Sequence, residues 1–164
     1  MSNQFVIDTY ASEIEKLASV WRRFDEADLT FRPHERSMTV GDVMKHELLS
    51  ARRFFAEFLG SPEPPAAEVL PQPAVGAYIE RMTALARPRI AWLADQPDAW
   101  WMETVPFFDV QRQRAWIVLR RILHTAHHRT QLTVDLRLLG KPVPSVYGPT
   151  HDETWSGASP TLAV

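Results

Sequence analysis

Residues 122–132 read ILHTAHHRTQL, and three histidines lie within five positions of a segment whose other residues favour helix. Because each residue of an α-helix advances by about 100°, His124 and His128 lie about 40° apart on one face, one turn from each other. Two neutral imidazoles at this spacing can bind one divalent metal ion. His127 lies about 60° to the other side of His124 and fits the same ion less well.

The chain around this segment shows helical periodicity. Apolar residues recur at three- and four-residue steps in four stretches, which predicts four amphipathic helices. We expect these helices at residues 3–25, 39–60, 74–94, and from 109–113 to 139. Thr39 and Asp42 have the spacing of a capping box, Pro88 predicts a kink in the third helix, and Gly140 with Pro142 ends the fourth. The predicted fold class is therefore all-α, a four-helix bundle.

Three further expectations concern the surface and the loops. In the first helix we place charged residues on the solvent side, namely Glu13, Lys16, Arg22 and Arg23. Residues 100–108 (WWMETVPFF) favour β-structure but have no evident partner strand, so we interpret them as a packed loop. Its aromatic side chains either pack or line a pocket mouth: Trp100, Trp101, Phe107 and Phe108.

Composition limits the classes of protein that fit. The 164 residues suit one domain over residues 1–164, with 143–164 as an irregular tail that contacts the body through Tyr147 and Trp155. A net charge of −2 gives no support for binding nucleic acid or an anionic membrane. The absence of cysteine excludes disulfides, thiolate ligands and a cysteine nucleophile. With no signal peptide and no apolar run of about 20 residues, we expect a cytoplasmic protein.

A metal centre on the fourth helix needs a third ligand from another helix. His46 is the best candidate, because its neighbours Val43, Leu49 and Phe54 are apolar and direct that face of the second helix inward. A single helical histidine is more often a packing residue, so the pair His124 and His128 carries most of the argument. A bundle without metal, its imidazoles hydrogen-bonded internally, is the remaining alternative.

The other histidines have weaker claims. His34 lies in a charged loop and is expected in solvent. His151 lies in the tail, and His127 either supports the ligands or lies at the surface. Residues 46–50 (HELLS) resemble the start of a zinc-protease helix, but Ser50 stands where the second histidine is required, which excludes that motif. No Glu-x-x-His pair, phosphate loop or dinucleotide fingerprint occurs in the sequence.

Three segments together carry a family resemblance. They are DVMKHELL at residues 42–49, ILHTAHHRTQL at 122–132, and LLGKP at 138–142. A histidine in the second helix followed late in the chain by His-x-x-x-His-Arg-x-Gln resembles the DinB superfamily, also called DinB/YfiT-like. One difference is that Thr130 stands where many members of the family have glycine.

The resemblance implies a DinB-like four-helix bundle in up-down-down-up order, and frequent dimerisation. It implies that His46, His124 and His128 bind one divalent ion, nickel or zinc, with iron or manganese as alternatives and water in the remaining positions. Characterised relatives include transferases and isomerases that use a low-molecular-weight thiol. The expected partners are therefore a small-molecule substrate, a thiol of this kind, and a second copy of the chain.

Three neutral histidines would leave the ion its full positive charge and an open coordination position. A water or thiol at that position becomes more acidic, which indicates hydrolysis or thiol transfer. The alternative is a structural or sensory metal site closed by a fourth protein ligand, for which His127 and His151 are candidates.

Several polar residues near the site are candidate helpers. Gln131, Asp135 and Arg121 lie near the histidine face of the fourth helix, and Arg53 and Glu57 lie near that of the second. Asp135 is expected either to accept a hydrogen bond from a ligand imidazole or to pair with an arginine. The sequence leaves the catalytic residues unknown.

Overall fold

The computed structural model describes residues 3–154, and this part of the chain is mostly helical with one small sheet. Four long helices are present: α1 Gln4–Trp21, α2 Val40–Arg53, α3 Val75–Ala94 and α5 Arg114–Leu138. A short helix, α4 Asp98–Met102, precedes the sheet. A π-helical segment, Phe54–Leu59, extends α2, and two 3₁₀-helices occupy Glu26–Thr30 and Ala66–Glu68. None of the helices in residues 3–154 is both long and apolar enough to cross a bilayer.

The helix ends follow local chemistry. The Thr39 hydroxyl accepts a hydrogen bond from the Asp42 N–H at 3.1 Å, so the predicted cap of α2 is confirmed and stabilises the helix by about 1 kcal/mol. The π-helical segment after α2 ends at Gly60, whose φ of 80° lies in the left-handed region that favours glycine. Pro88 lies inside α3, which continues past it; the kink there stays a prediction.

The long helices pack around a common apolar core. Helix α1 contacts α3 and α5, and α2 contacts α5 and α3. The core includes some large side chains that are almost fully buried: Tyr10, Leu17, Trp21, Met44, Tyr78 and Ile117. Burying one such side chain contributes about 1.5–3 kcal/mol. The packing places α2 beside α5, which are the two helices that carry the candidate ligands.

The expectation that Glu13 and Lys16 face solvent is wrong. Only 1% of Glu13 and 6% of Lys16 is exposed. Lys16 donates to Glu13 at 2.8 Å, and Arg129 of α5 forms a buried ion pair with the same carboxylate. The Tyr147 hydroxyl donates to Glu13 at 2.6 Å, so the described part of the tail packs against α1 as predicted. These partners compensate the desolvation of the charges, which periodicity alone does not reveal.

The interpretation of residues 100–108 as a loop is also wrong. Residues 98–102 are helical, and β1 Thr104–Phe107 pairs antiparallel with β2 Val110–Gln113 in a small hairpin. The turn between the strands places Phe108 at φ 53°, where glycine or asparagine is usual, so the sequence carries no turn signal there. Residues 143–154 contain no helix or strand, and Trp155 lies outside the described residues.

Candidate metal centre

Helices α2 and α5 bring His46, His124 and His128 to one place. One ring nitrogen of each residue lies within 4.8 Å of the corresponding nitrogens of the other two. The Nε2 atoms of His46 and His124 are 3.3 Å apart. The ring centroids lie 4.5 to 5.2 Å from one another. The spacing of four residues on α5 therefore places two imidazoles on the face that meets α2, as the sequence predicts.

The geometry and charge of this cluster fit a divalent ion. Ligand nitrogens at about 2.0–2.1 Å from a tetrahedral ion lie about 3.3 Å apart. The observed separation of the His46 and His124 nitrogens already has this value. Burial lowers the pKa of His46 and of His128, so both rings are neutral near pH 7 and offer a lone pair.

Hydrogen bonds orient both histidines of α5. Nδ1 of His124 lies 3.1 Å from Oε1 of Glu47, and Nδ1 of His128 lies 2.8 Å from Oε1 of Gln131. When the Nδ1–H of His128 donates to Gln131, its Nε2 is left unprotonated and available as a ligand. At His124, a guanidinium nitrogen of Arg121 also lies 3.0 Å from Nδ1, and the tautomer that donates from Nδ1 to Glu47 is the one that leaves Nε2 available. An acceptor at the second nitrogen fixes the ring and raises its basicity, which is the usual arrangement around metal-bound histidine.

Glu47 is the residue that the sequence reasoning missed. It is buried, and its carboxylate pairs with Arg121, which also donates to Thr125 at 2.8 Å and Ser50 at 3.1 Å. Burial raises the pKa of Glu47, but the charge of Arg121 and the hydrogen bond with His124 outweigh it and hold this pKa below its usual range. In the sequence Glu47 directly follows His46 and Arg121 lies one turn before His124, but the two residues that pair are 74 positions apart, so no local pattern predicts the pair.

Neither expectation for Asp135 is met. The residue is buried, and its carboxylate makes no hydrogen bond or ion pair with the rest of residues 3–154. Burial raises the pKa of Asp135 to about 6. The acceptors for His124 and His128 are Glu47 and Gln131 instead.

The remaining histidines are not among the three ligand candidates, although the His127 ring packs edge-on against His128 with a centroid separation of 4.9 Å. His34 and His151 are exposed, as expected for a loop and a tail. His127 is also exposed, and its Nε2 accepts a hydrogen bond from Gln131 at 3.2 Å. Within the part of the chain that the structure describes, no other acidic or histidine side chain has a ligand atom close enough to those of all three candidates to share their ion; Glu47 contacts His124 alone.

Two cavities adjoin the centre. The first, of about 530 Å³, is bordered by His46 and His124 and reaches the hairpin at Phe107 and Phe108. The second, of about 450 Å³, is bordered by His128, Gln131 and Asp135. Both volumes are in the usual range for small-molecule sites.

The two tryptophans that were expected either to pack or to line a pocket do not border the first cavity. Trp101 is only 1% exposed, and the Trp100 ring packs against it with a centroid separation of 5.3 Å. For these two residues the packing alternative is confirmed.

Comparison with known proteins agrees with the resemblance. The model of the DinB family matches residues 1–157, so the chain belongs to the DinB family. A crystal structure of a DinB-like protein from Bacillus cereus has a TM-score of 0.78 at 18% identity, with 88% of this chain and 97% of that chain covered. A DinB-like protein from Bacillus subtilis has a TM-score of 0.69 at 16% identity and the same coverage. No sequence of a curated protein matches this chain significantly.

Proposed function

We propose that His46, His124 and His128 bind one divalent metal ion, and that the protein is a metal-dependent enzyme that activates a thiol or a water molecule. The observation that carries this proposal is the convergence of three ring nitrogens within 4.8 Å, two of them on rings held at Nδ1 by Glu47 and Gln131. The 3.3 Å separation of the His46 and His124 Nε2 atoms also suits a direct hydrogen bond in a bundle without metal, so the metal analysis described below decides between the two.

A divalent ion at this centre would supply a Lewis acid that lowers the pKa of a water or thiol ligand, which suits thiol transfer, isomerisation or hydrolysis. Three neutral imidazoles leave the charge of such an ion undiminished. Imidazole ligands suit nickel and zinc, and also iron; manganese is the weaker alternative. The residues of the chain orient the ligands, and the adjoining cavities offer space for a small-molecule substrate.

A structural or sensory metal site is the second candidate function. It would require a fourth protein ligand that closes the coordination sphere. His127 points to Gln131, and His151 is exposed in the tail, so neither supports closure within residues 3–154. That no fourth ligand candidate accompanies the three histidines among residues 3–154 supports the enzyme over this alternative.

We further propose that α1, α2, α3 and α5 form a four-helix bundle in up-down-down-up order within a single domain, which the packing of α1 and α2 against α3 and α5 supports.

We also propose a homodimer. Five large apolar side chains on α5 are 40–60% exposed: Trp116, Leu119, Leu123, Val134 and Leu138. Such a stripe suits a second copy of the same helix. Light scattering should give a dimer mass that Leu123→Glu reduces to that of a monomer; a monomeric parent protein would contradict this proposal.

The metal is tested by elemental analysis and calorimetry on protein purified without a histidine tag or chelator. We expect about one equivalent of nickel, zinc or cobalt per chain, lost in His124→Ala and retained in His34→Ala, a control at an exposed histidine outside the cluster. In the cobalt protein, addition of a thiol should change the visible spectrum if a coordination position is open. Absence of binding contradicts the metal site, and an unchanged spectrum favours the closed site.

A further inference from the structure

The cavity beside His46 and His124 has a distinctive lining. It lies between α2, α5 and the hairpin, and its walls combine ligand candidates, aromatic rings and guanidinium groups. The residues of the latter two kinds are Phe54, Phe107, Phe108, Arg53 and Arg120. None of the acidic side chains in residues 3–154 borders it.

The positive charge of this cavity is only partly compensated. Arg53 donates through Nε to Glu57 at 2.9 Å, and Glu57 is about half exposed. Arg120 is exposed and forms no hydrogen bond or ion pair with the rest of residues 3–154. Arginine is the side chain best suited to carboxylate recognition, because its planar donors match two oxygens.

Aromatic rings form the apolar wall. Phe107 lies 5.6 Å from Phe54 and 4.8 Å from Phe108 between ring centroids, and the Arg53 guanidinium lies 5.0 Å from the Phe108 ring. Phe108 is 57% exposed and has a φ of 53°. Such backbone strain costs about 1–2 kcal/mol, and strained residues concentrate at ligand sites. The hairpin thus holds an exposed aromatic ring beside the cavity.

We propose that this cavity binds an organic anion, a carboxylate with an aromatic body, as the substrate of the metal centre. Its acid group contacts Arg53 and Arg120, its ring packs against Phe107 and Phe108, and its opposite end faces His46 and His124. This inference rests on the proposed function and names the substrate class of the same site.

The spacing along the helices gives the length of the ligand. Arg120 precedes His124 by four residues, which is about 6 Å along α5, and Arg53 follows His46 by seven, which is about 10 Å along α2. A single benzene ring between an acid group and a donor atom spans such a distance. The second cavity is bordered by one arginine, Arg36, but also by the buried carboxylate of Asp135 and by only one ligand candidate, His128, so it is less suitable for an anion at the metal centre.

Two matched thiols test the inference: para-(sulfanylmethyl)benzoate and its uncharged amide, para-(sulfanylmethyl)benzamide. Cobalt uptake is measured first, so a protein that takes up no cobalt contradicts the proposed function. Both thiols are then titrated into the cobalt protein by absorbance and into the metal-free protein by calorimetry. The difference in affinity between the acid and the amide measures the contribution of the two arginines to carboxylate binding, whether or not metal is bound.

We expect the acid to bind at least about tenfold more tightly than the amide, as a charged hydrogen-bonded pair typically provides. Arg120→Gln and Arg53→Gln should each remove most of this difference while leaving the affinity for the amide within about twofold. Arg87→Gln, an exposed arginine of α3 away from the cavity, is the control for net charge and should preserve the difference. Equal affinities for acid and amide, or equal losses in Arg120→Gln and Arg87→Gln, would overturn the inference even in a protein that binds cobalt.

Discussion

Oε1 of Glu47 lies 3.1 Å from Nδ1 of His124, while the same carboxylate forms a buried ion pair with Arg121. One side chain therefore links the orientation of a candidate ligand on α5 to the electrostatic balance of the interior. Because Glu47 directly follows His46 on α2, a change at this carboxylate affects both helices of the site.

Glu47→Gln should weaken metal binding by about 10- to 100-fold, because His124 loses a charged hydrogen-bond acceptor. Competition with a chelator of known affinity measures the effect, and circular dichroism verifies that the variant is folded. Glu57→Gln, a change at a half-exposed carboxylate, is the control and should bind metal like the parent. A folded Glu47→Gln protein with unchanged metal affinity would show that Glu47 does not support the site.

Asp135→Asn should change the pH dependence of stability. The pKa of Asp135 is raised from 3.8 to about 6 in the folded state, so between these values the folded protein holds a proton that the unfolded chain has released. Stability therefore falls as pH rises through this window and stays lower above it. Asparagine removes this loss, and the variant should gain about 1–2 kcal/mol relative to the parent at about pH 8 compared with about pH 4. Urea denaturation of the metal-free proteins measures this difference in the free energy of unfolding. A gain in stability that is the same at both pH values would contradict a raised pKa of Asp135 in the folded state.

Tyr147→Phe should destabilise the fold by about 1 kcal/mol, because the hydroxyl donates to the buried Glu13 at 2.6 Å. The ring, which lies 4.3 Å from Lys16 Nζ and 4.6 Å from the Arg129 guanidinium, remains in phenylalanine. Tyr147→Ala should therefore cost more than Tyr147→Phe in thermal denaturation. If both variants melted like the parent, the contacts of Tyr147 with Glu13, Lys16 and Arg129 would contribute nothing to the stability of the fold.

Arg89→Met should destabilise the protein by about 3–5 kcal/mol, because it leaves the carboxylate of Glu63 buried without a partner. Arg89 donates to the two oxygens of Glu63 at 2.7 and 2.6 Å, which links residues 60–74, between the π-helical segment and α3, to α3 itself. The double variant Arg89→Met with Glu63→Leu should recover most of the loss in urea denaturation. A single variant as unstable as the double one would indicate lost packing around Arg89 rather than an unpaired charge.

The parts of the fold that depend on local periodicity were predictable from the sequence. The four helices, the Thr39 cap and the shared face of His124 and His128 follow from spacing alone. The hairpin did not, because its turn has Phe108 at a positive φ and all four residues of β2 are exposed. A strand with neither an apolar face nor a turn signal cannot be recognised before its partner is known.

The polar interior was the other part that the sequence could not specify. Glu13, Lys16 and Glu47 are charged residues on helices, and the usual expectation for such residues is solvent. Their burial depends on Arg129 and Arg121, which lie more than 70 positions later in the chain. Pairings between distant segments leave no periodic trace, so only the folded structure reveals them.

The meeting of α2 and α5 at the histidines has a consequence for the lifetime of the protein. His46 and His124 are 78 positions apart, so an ion bound by both would form a reversible cross-link between segments separated by about half of the sequence. Because such an ion binds only the folded chain, each tenfold excess over its dissociation constant adds about 1.4 kcal/mol to the free energy of unfolding. If the proposed ion binds, the supply of metal would therefore change the resistance of the folded chain to proteolysis.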